Sequence, residues 1–277
     1  LALKLGNLTV NKSFLLNTKV WMRGVTILLL SMGAAFFGYV LPWGQMRFWG
    51  ASVITKFLSV IPFIGNDFIL WLWGGFRVKE ATLVRFYSFH FIIPFIILFF
   101  VIIHIIMLHE KGSSNPLGVF NNEKLRFFPF FSLKDVLGFR RILLGSVWIY
   151  FYYPDLVAEE QNFIKANPLV TPEHIQPEWY FLPAYAVLRC VPNKTGGVVA
   201  LVIFVIILYT LPLLSVKSLV SKKNLITRGF ILWSINYLFL IWCGAQVVED
   251  PFVLLSQIGF LSYFGFFFFL FLKNYLY

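Results

Sequence analysis

The chain has 277 residues, of which 59% are hydrophobic and 13% charged, with a formal net charge of +11. Soluble domains carry roughly a quarter charged residues, so this composition excludes a soluble fold and points to a polytopic membrane protein. The positive balance does not indicate nucleic-acid binding, because the basic residues flank apolar runs. The 34 phenylalanines fit an AT-rich genome such as an organelle's.

Six apolar runs approach the ~20 residues needed to cross a bilayer: near 21–41, 83–108, 136–153, 195–214, 229–247 and 252–272. The expected fold is therefore all-α and polytopic, with six transmembrane helices and short interfacial ones. The third run is the shortest and carries Arg140 and Arg141 at its start. Fifteen Lys/Arg against three acids flank the spans on the N-terminal side of the bilayer, and eight against nine on the other. The positive-inside bias places the first side in the cytoplasm or matrix.

Residues 1–20 precede the first run and have no assigned role. The first span holds Gly24 and Gly38, fourteen residues apart. Glycine in a helix interior costs about 1 kcal/mol relative to Ala and usually marks a close approach. A flat macrocycle against the backbone would explain both, and so would packing between helices through small residues. Residues Gln45 to Val60 mix Phe48, Trp49, Ile54 and Phe57 with Arg47 and Lys56, the pattern of an amphipathic interfacial helix.

The second span repeats the fourteen-residue spacing with His90 and His104. On a helix that is a rise of roughly 21 Å and a rotation about 40° short of four turns. Both imidazoles fall on one stripe, His90 nearer the outer face and His104 nearer the inner. Histidine in hydrocarbon marks a functional site, and neutral imidazole is a common metal ligand. The antiparallel course of the two spans brings Gly38 level with His90 and Gly24 level with His104. Pro94, four residues after His90, cannot donate to the carbonyl of residue 90 and is expected to bend the helix.

Near the inner face, His109 leaves the stripe and Asp135 opens the third span. As a donor and an acceptor they could form a polar binding pair at that face. The competing readings are a cation at a helix C-terminus for His109 and a capping box, Ser132 to Asp135, for the acid. On the outer side, Pro177-Glu178-Trp179-Tyr180 precedes the fourth span. Glu178 could accept a proton, best with a pKa near working pH; the competing reading is a helix start, with Pro at its first position and an acid in its first turn. His174 reads as a solvated or interfacial histidine, and Cys190 and Cys243 as buried small residues.

The strings Gly38-Tyr-Val-Leu-Pro-Trp-Gly-Gln-Met46, Trp49-Gly50-Ala51, Phe89-His90, His109-Glu110, Gly112-Ser113, Asn115-Pro116, Lys134-Asp135, Pro177-Glu178-Trp179-Tyr180 and Val191-Pro192-Asn193-Lys194 together resemble the cytochrome b family of the bc1 complex. The resemblance runs from about residue 20 to the end. The spacing of His90 and His104 follows bc1 members, since b6f relatives carry one more residue between these histidines. It implies the third to eighth helices of an eight-helix fold, with residues 21–118 from the haem-binding region and 119–277 from the C-terminal region.

It further implies a subunit of quinol–cytochrome c reductase, inactive alone, in the mitochondrial inner membrane or, less readily, a bacterial plasma membrane. Two haems b would each take one axial ligand here, His90 for the outer haem and His104 for the inner, with Gly24 and Gly38 packed against them. The other ligands would come from a helix outside these residues, so the isolated chain is expected not to hold haem stably. Ubiquinol would be oxidised at an outer site of Glu178 with Tyr39, Gly50, Pro177, Trp179, Tyr180 and Tyr185. Quinone would be reduced at an inner site of His109, Ser113, Lys134 and Asp135. Cytochrome c1, the Rieske iron–sulfur protein, other bc1 subunits, a second copy of the complex and membrane lipid are the implied partners. Coding sequence upstream of Leu1 is expected to supply the two missing helices. Competing readings are a partial or non-functional product, and an ion or proton transporter with intramembrane histidines.

Overall fold

The structure is a computed structural model that describes residues 17–112, 125–156, 159–213 and 223–275. Among the described residues there are nine α-helices and no strand longer than a single bridge. They are α1 Thr18–Val40, α2 Gln45–Lys56, α3 Gly65–Trp73, α4 Glu80–Lys111, α5 Ser132–Tyr152, α6 Leu182–Cys190, α7 Lys194–Thr210, α8 Lys223–Ala245 and α9 Phe252–Tyr275. Each of the six expected spans coincides with one long helix.

Helices α1, α4 and α9 are long and apolar enough to cross a membrane, and α7 and α8 contain shorter apolar stretches. Helix α5 has the length, but Lys134, Asp135, Arg140 and Arg141 interrupt it and it buries none of its residues. The expected amphipathic segment forms as α2 followed by a 3-10 turn, Phe57–Val60. The α2 face carrying Met46, Phe48, Ala51 and Thr55 is buried.

Two apolar clusters organise the chain. Phe36 and Val40 of α1, Ala51 of α2, Leu72 of α3 and Phe86 of α4 form the first. The second joins α6 to α9 through Val187, Phe204, Trp233, Leu240, Tyr263 and Phe267. Helix α1 also ties to α7: Trp21 Nε1 donates to Leu208 O at 2.8 Å, and the Thr26 and Tyr209 hydroxyls lie 3.0 Å apart.

Short helix α6 is wedged against α8, where Gly244 meets the Leu182 carbonyl so closely that no side chain fits. Such glycine contacts let helix backbones approach in a membrane. Arg189 secures the same junction, donating to the carbonyls of Cys243 at 2.8 Å, Gly244 at 3.1 Å and Gln246 at 2.8 Å. They lie at and just past the C-terminal end of α8, where a cation is favourable beside the helix dipole. Cys190 and Cys243 are buried and unbonded to each other.

The segment between α5 and α6 folds back onto the α1–α2 turn. Gln45 N donates to Ile164 O at 3.0 Å and Ala166 N to Trp43 O at 3.1 Å. The buried Gln45 side chain accepts from Asn167 N at 2.6 Å and donates to Val170 O at 2.5 Å. Two backbone groups of an irregular loop are thereby satisfied away from water, as buried polar groups require.

Candidate functional site

Helices α1 and α4 lie antiparallel with Gly38 directly against His90. A methyl at residue 38 would meet Cε1 of the imidazole and fall 2.8 Å from Nδ1 and 2.9 Å from Nε2. His90 Nδ1 lies 2.8 Å from Ala34 O, one turn away on the same face of α1. A hydrogen bond from Nδ1–H to that carbonyl fixes the tautomer that leaves Nε2 bare, the form that ligates metal. Phe37 packs on Phe86 and Phe89, with ring centroids at 4.9 and 5.2 Å, and holds the two helices in this register.

The register continues to the inner end of the pair, where Asn17 Nδ2 donates to Gly112 O at 3.4 Å. It brings His104 level with Gly24, roughly 21 Å from the first pair at 1.5 Å per residue. Gly24 is buried and His104 partly so. Arg23, beside Gly24, has a buried Nε with no hydrogen-bond partner, a donor suited to an acidic substituent on a group held there. Helix α4 runs unbroken through Pro94.

Among the described residues no three His, Cys, Asp or Glu come together to hold an ion. A metal here would need a carrier supplying its other ligands. Haem does so, and a lone imidazole with its Nδ1 engaged, facing a glycine backbone, fits it. Gly38→Val is expected to displace the His90 ring, since overpacking of this kind costs about 1–3 kcal/mol. Bound haem is the measurement, and a decrease is expected.

The outer acid lies in a turn, where Phe181 N donates to Glu178 O at 2.8 Å. The helix-start reading of Pro177-Glu178 does not hold: α6 begins at Leu182, and Pro183 takes the early helical position. Burial pushes the Glu178 carboxyl up to about 7, offset in part by backbone hydrogen bonding and by the charge of Arg47. Burial, then Glu178, then Tyr39 raise the Tyr180 hydroxyl above its ordinary value.

Across from Glu178, Asn162 joins two further elements. Its Nδ2 donates to Tyr39 OH at 2.9 Å, and its Oδ1 accepts from Arg47 N at 3.0 Å. The Arg47 guanidinium lies 5.0 Å from the centre of the Tyr39 ring. Gly50 is buried, yet a methyl there would meet nothing within 4 Å, which leaves space beside it. Tyr185 stands under Arg189, with its hydroxyl 3.4 Å from Ile175 O, and Trp179 is exposed.

An apolar groove of about 1030 Å³, counted with its open mouth, runs along α1 past Gly24, Leu28 and Met32 to Tyr180, walled opposite by Phe204, Trp233 and Tyr263. Sequence reasoning missed Asn162 altogether and noted Arg47 only as a charge on the interfacial helix.

The inner candidates are less assembled. His109 on the last turn of α4 and Lys134 and Asp135 at the start of α5 are exposed, and among the described residues no hydrogen bond links them. Ser113 lies outside the described residues. The capping-box reading of Asp135 fails, because Ser132 is already helical and makes no cap hydrogen bond. His174 is partly buried, with Nε2 3.3 Å from Ala245 O at the end of α8.

Comparison with known proteins converges on one family. The profile described as cytochrome b/b6/petB matches residues 4–112, and that described as cytochrome b (C-terminal)/b6/petD matches residues 165–264. Cytochrome b of Apis mellifera ligustica is 50% identical over 258 residues, covering 92% of this chain and 67% of that protein. This chain belongs to the cytochrome b family. Cytochrome b of Albinaria caerulea is 49% identical over 266 residues, covering 95% of this chain and 72% of that protein. A chain of a solved hyperthermophilic respiratory complex III superposes with a TM-score of 0.89 at 30% identity, over 99% of this chain and 74% of that one.

Proposed function

We propose that this cytochrome b is the haem-bearing membrane subunit of a mitochondrial bc1 complex, working with cytochrome c1 and the Rieske iron–sulfur protein in the inner membrane. The observation that carries the reading is the α1–α4 register, which sets His90 against Gly38 and carries His104 onto the same helix stripe about 21 Å away. His90 and His104 would each offer an imidazole nitrogen to hold a haem b. Bound at those ligands, the two haems supply reversible one-electron chemistry across the bilayer.

The remaining work belongs to the chain's own side chains. Ubiquinol reaches the outer site with its apolar tail in the groove along α1. Glu178 accepts a proton from the quinol hydroxyl, and a carboxyl titrating near 7 suits that task at neutral pH. Tyr39, Gly50, Pro177, Tyr180 and Tyr185 form the pocket wall, with Trp179 at its edge. At the inner face, His109, Ser113, Lys134 and Asp135 serve quinone reduction by holding its carbonyl oxygens and delivering protons. Quinol-dependent reduction of cytochrome c by the assembled complex is the test. Activity is expected, and its absence from a complex that has incorporated this chain would overturn the reading.

A further inference from the structure

Gly44 and Gln45, where α2 begins, hold the loop that borders the outer site. Gln45 N donates to Ile164 O at 3.0 Å, its Oε1 accepts from Asn167 N at 2.6 Å, and its Nε2 donates to Val170 O at 2.5 Å. One buried residue, 5% exposed, thus grips the loop at three points. Gly44 lies against the same loop: a methyl on it would fall 2.6 Å from Asn162 O, 2.8 Å from Asn162 Oδ1 and 2.9 Å from its Cα. Its φ of −88° is open to any L-residue, so the close approach, not the backbone, requires glycine there. The Asn162 amide has one possible orientation. Arg47 N–H can only donate, which assigns Oδ1 to it at 3.0 Å and turns Nδ2 toward Tyr39 OH at 2.9 Å. An amide nitrogen also only donates, so the Tyr39 oxygen accepts and its own hydrogen is left to be given elsewhere. Among the described residues no acceptor takes it.

We propose that Gln45 is a positioning residue of the outer site: through the loop and Asn162 it sets the Tyr39 hydroxyl as a hydrogen-bond donor to an oxygen of the bound quinol. This rests on Tyr39 forming part of the outer quinone pocket. Every link is a contact. Gln45 fixes the loop, Gly44 fixes Asn162 within it, and Asn162 occupies the Tyr39 oxygen. A hydroxyl hydrogen rotates to suit its partners. If the loop shifts, Nδ2 withdraws, and the Tyr39 hydrogen is free to turn away from the quinol. No bond to the substrate forms or breaks through Gln45, so its loss weakens binding at the outer site rather than the chemical step.

The test is the steady-state kinetics of quinol–cytochrome c reductase in assembled complexes. Gln45→Met removes both side-chain hydrogen bonds at similar size, and Gly44→Ala presses a methyl on Asn162. Each is measured with Tyr39 in place and with Tyr39→Phe. Gln45→Met and Tyr39→Phe are each expected to raise the KM for quinol by about 5-fold, the worth of one hydrogen bond, and to leave kcat within about twofold. The double variant should match Tyr39→Phe within about twofold, because no hydroxyl remains to misdirect. Gly44→Ala should repeat this pattern, and it supplies the comparison if Gln45→Met does not assemble. Increases in KM that multiply in the double variant would overturn the proposal, since they mark a general loosening of the fold. So would a wild-type KM in both Gln45→Met and Gly44→Ala. A wild-type KM in Tyr39→Phe would instead remove Tyr39 from the outer pocket, a failure of the underlying reading that is distinct from that of Gln45.

Discussion

A complex carrying His90→Leu is expected to lose about half of its b-type absorbance, because leucine offers no lone pair to iron. Its quinol oxidation should fall by about 100-fold or more, since the outer haem would be the electron's entry point to the membrane path. The same change at His104 should remove the other half and leave the outer component in place. The structure gives the reason for this independence. The two histidines are roughly 21 Å apart on one helix, so neither shares a ligand sphere with the other. Leucine at 90 also forfeits the hydrogen bond to Ala34 O, whereas His90→Gln retains a hydrogen-bonding side chain and still lacks an imidazole. Loss of one component in both variants assigns the effect to ligation; loss only in the leucine variant would assign it to packing.

Glu178→Gln should lower the maximal rate of quinol oxidation by about 10²-fold, within the range that a positioned acid–base group contributes. The wild-type rate should rise with pH through about 7, where Glu178 ionises, and that limb should vanish in the variant. Stability runs the opposite way. The carboxyl's folded-state pKa stands above its ordinary value of 4.5, so the folded protein disfavours the ionised form. No penalty exists below about pH 4.5; it grows as pH rises toward 7 and is constant above that. Thermal denaturation should therefore show Glu178→Gln at least as stable as wild type at pH 8, with the difference gone by pH 4. A variant that is slow and also less stable at pH 8 would mean that Glu178 holds the loop together rather than accepting a proton.

The membrane architecture and the histidine stripe were legible because both follow from local rules. Apolar length marks a span, and the helical period carries His90 onto the same face as His104. Antiparallel spans then set Gly38 beside His90, and the structure shows that contact directly. The Glu178 surroundings were legible only in part. Asn162 is 123 residues from Tyr39 in sequence, and it arrives there because a loop folds back through a hydrogen bond donated by Gln45 N and one accepted by Trp43 O that no periodicity announces. Arg47 offered one signal, a charge on a helix whose neighbours Met46, Phe48 and Ala51 are buried, but its direction depended on Asn162 and Pro42. Local rules also left the competing helix start at Pro177 open. Pro177 and Pro183 both satisfy the helix-start pattern, and only packing of Leu182 against Gly244 decides between them. At the inner face the charged helix α5 buries nothing, so its pairing with His109 stays a matter of motif resemblance.

The central claim is that this chain carries axial ligands for haem at two depths of the membrane. A redox titration of the reduced-minus-oxidised difference spectrum of the purified complex tests it most directly. Two b-type components with separate midpoints are expected, one lost with His90 and the other with His104. A complex that contains the chain and shows no b-type band would contradict the account and favour a proton-conducting role for the intramembrane histidines.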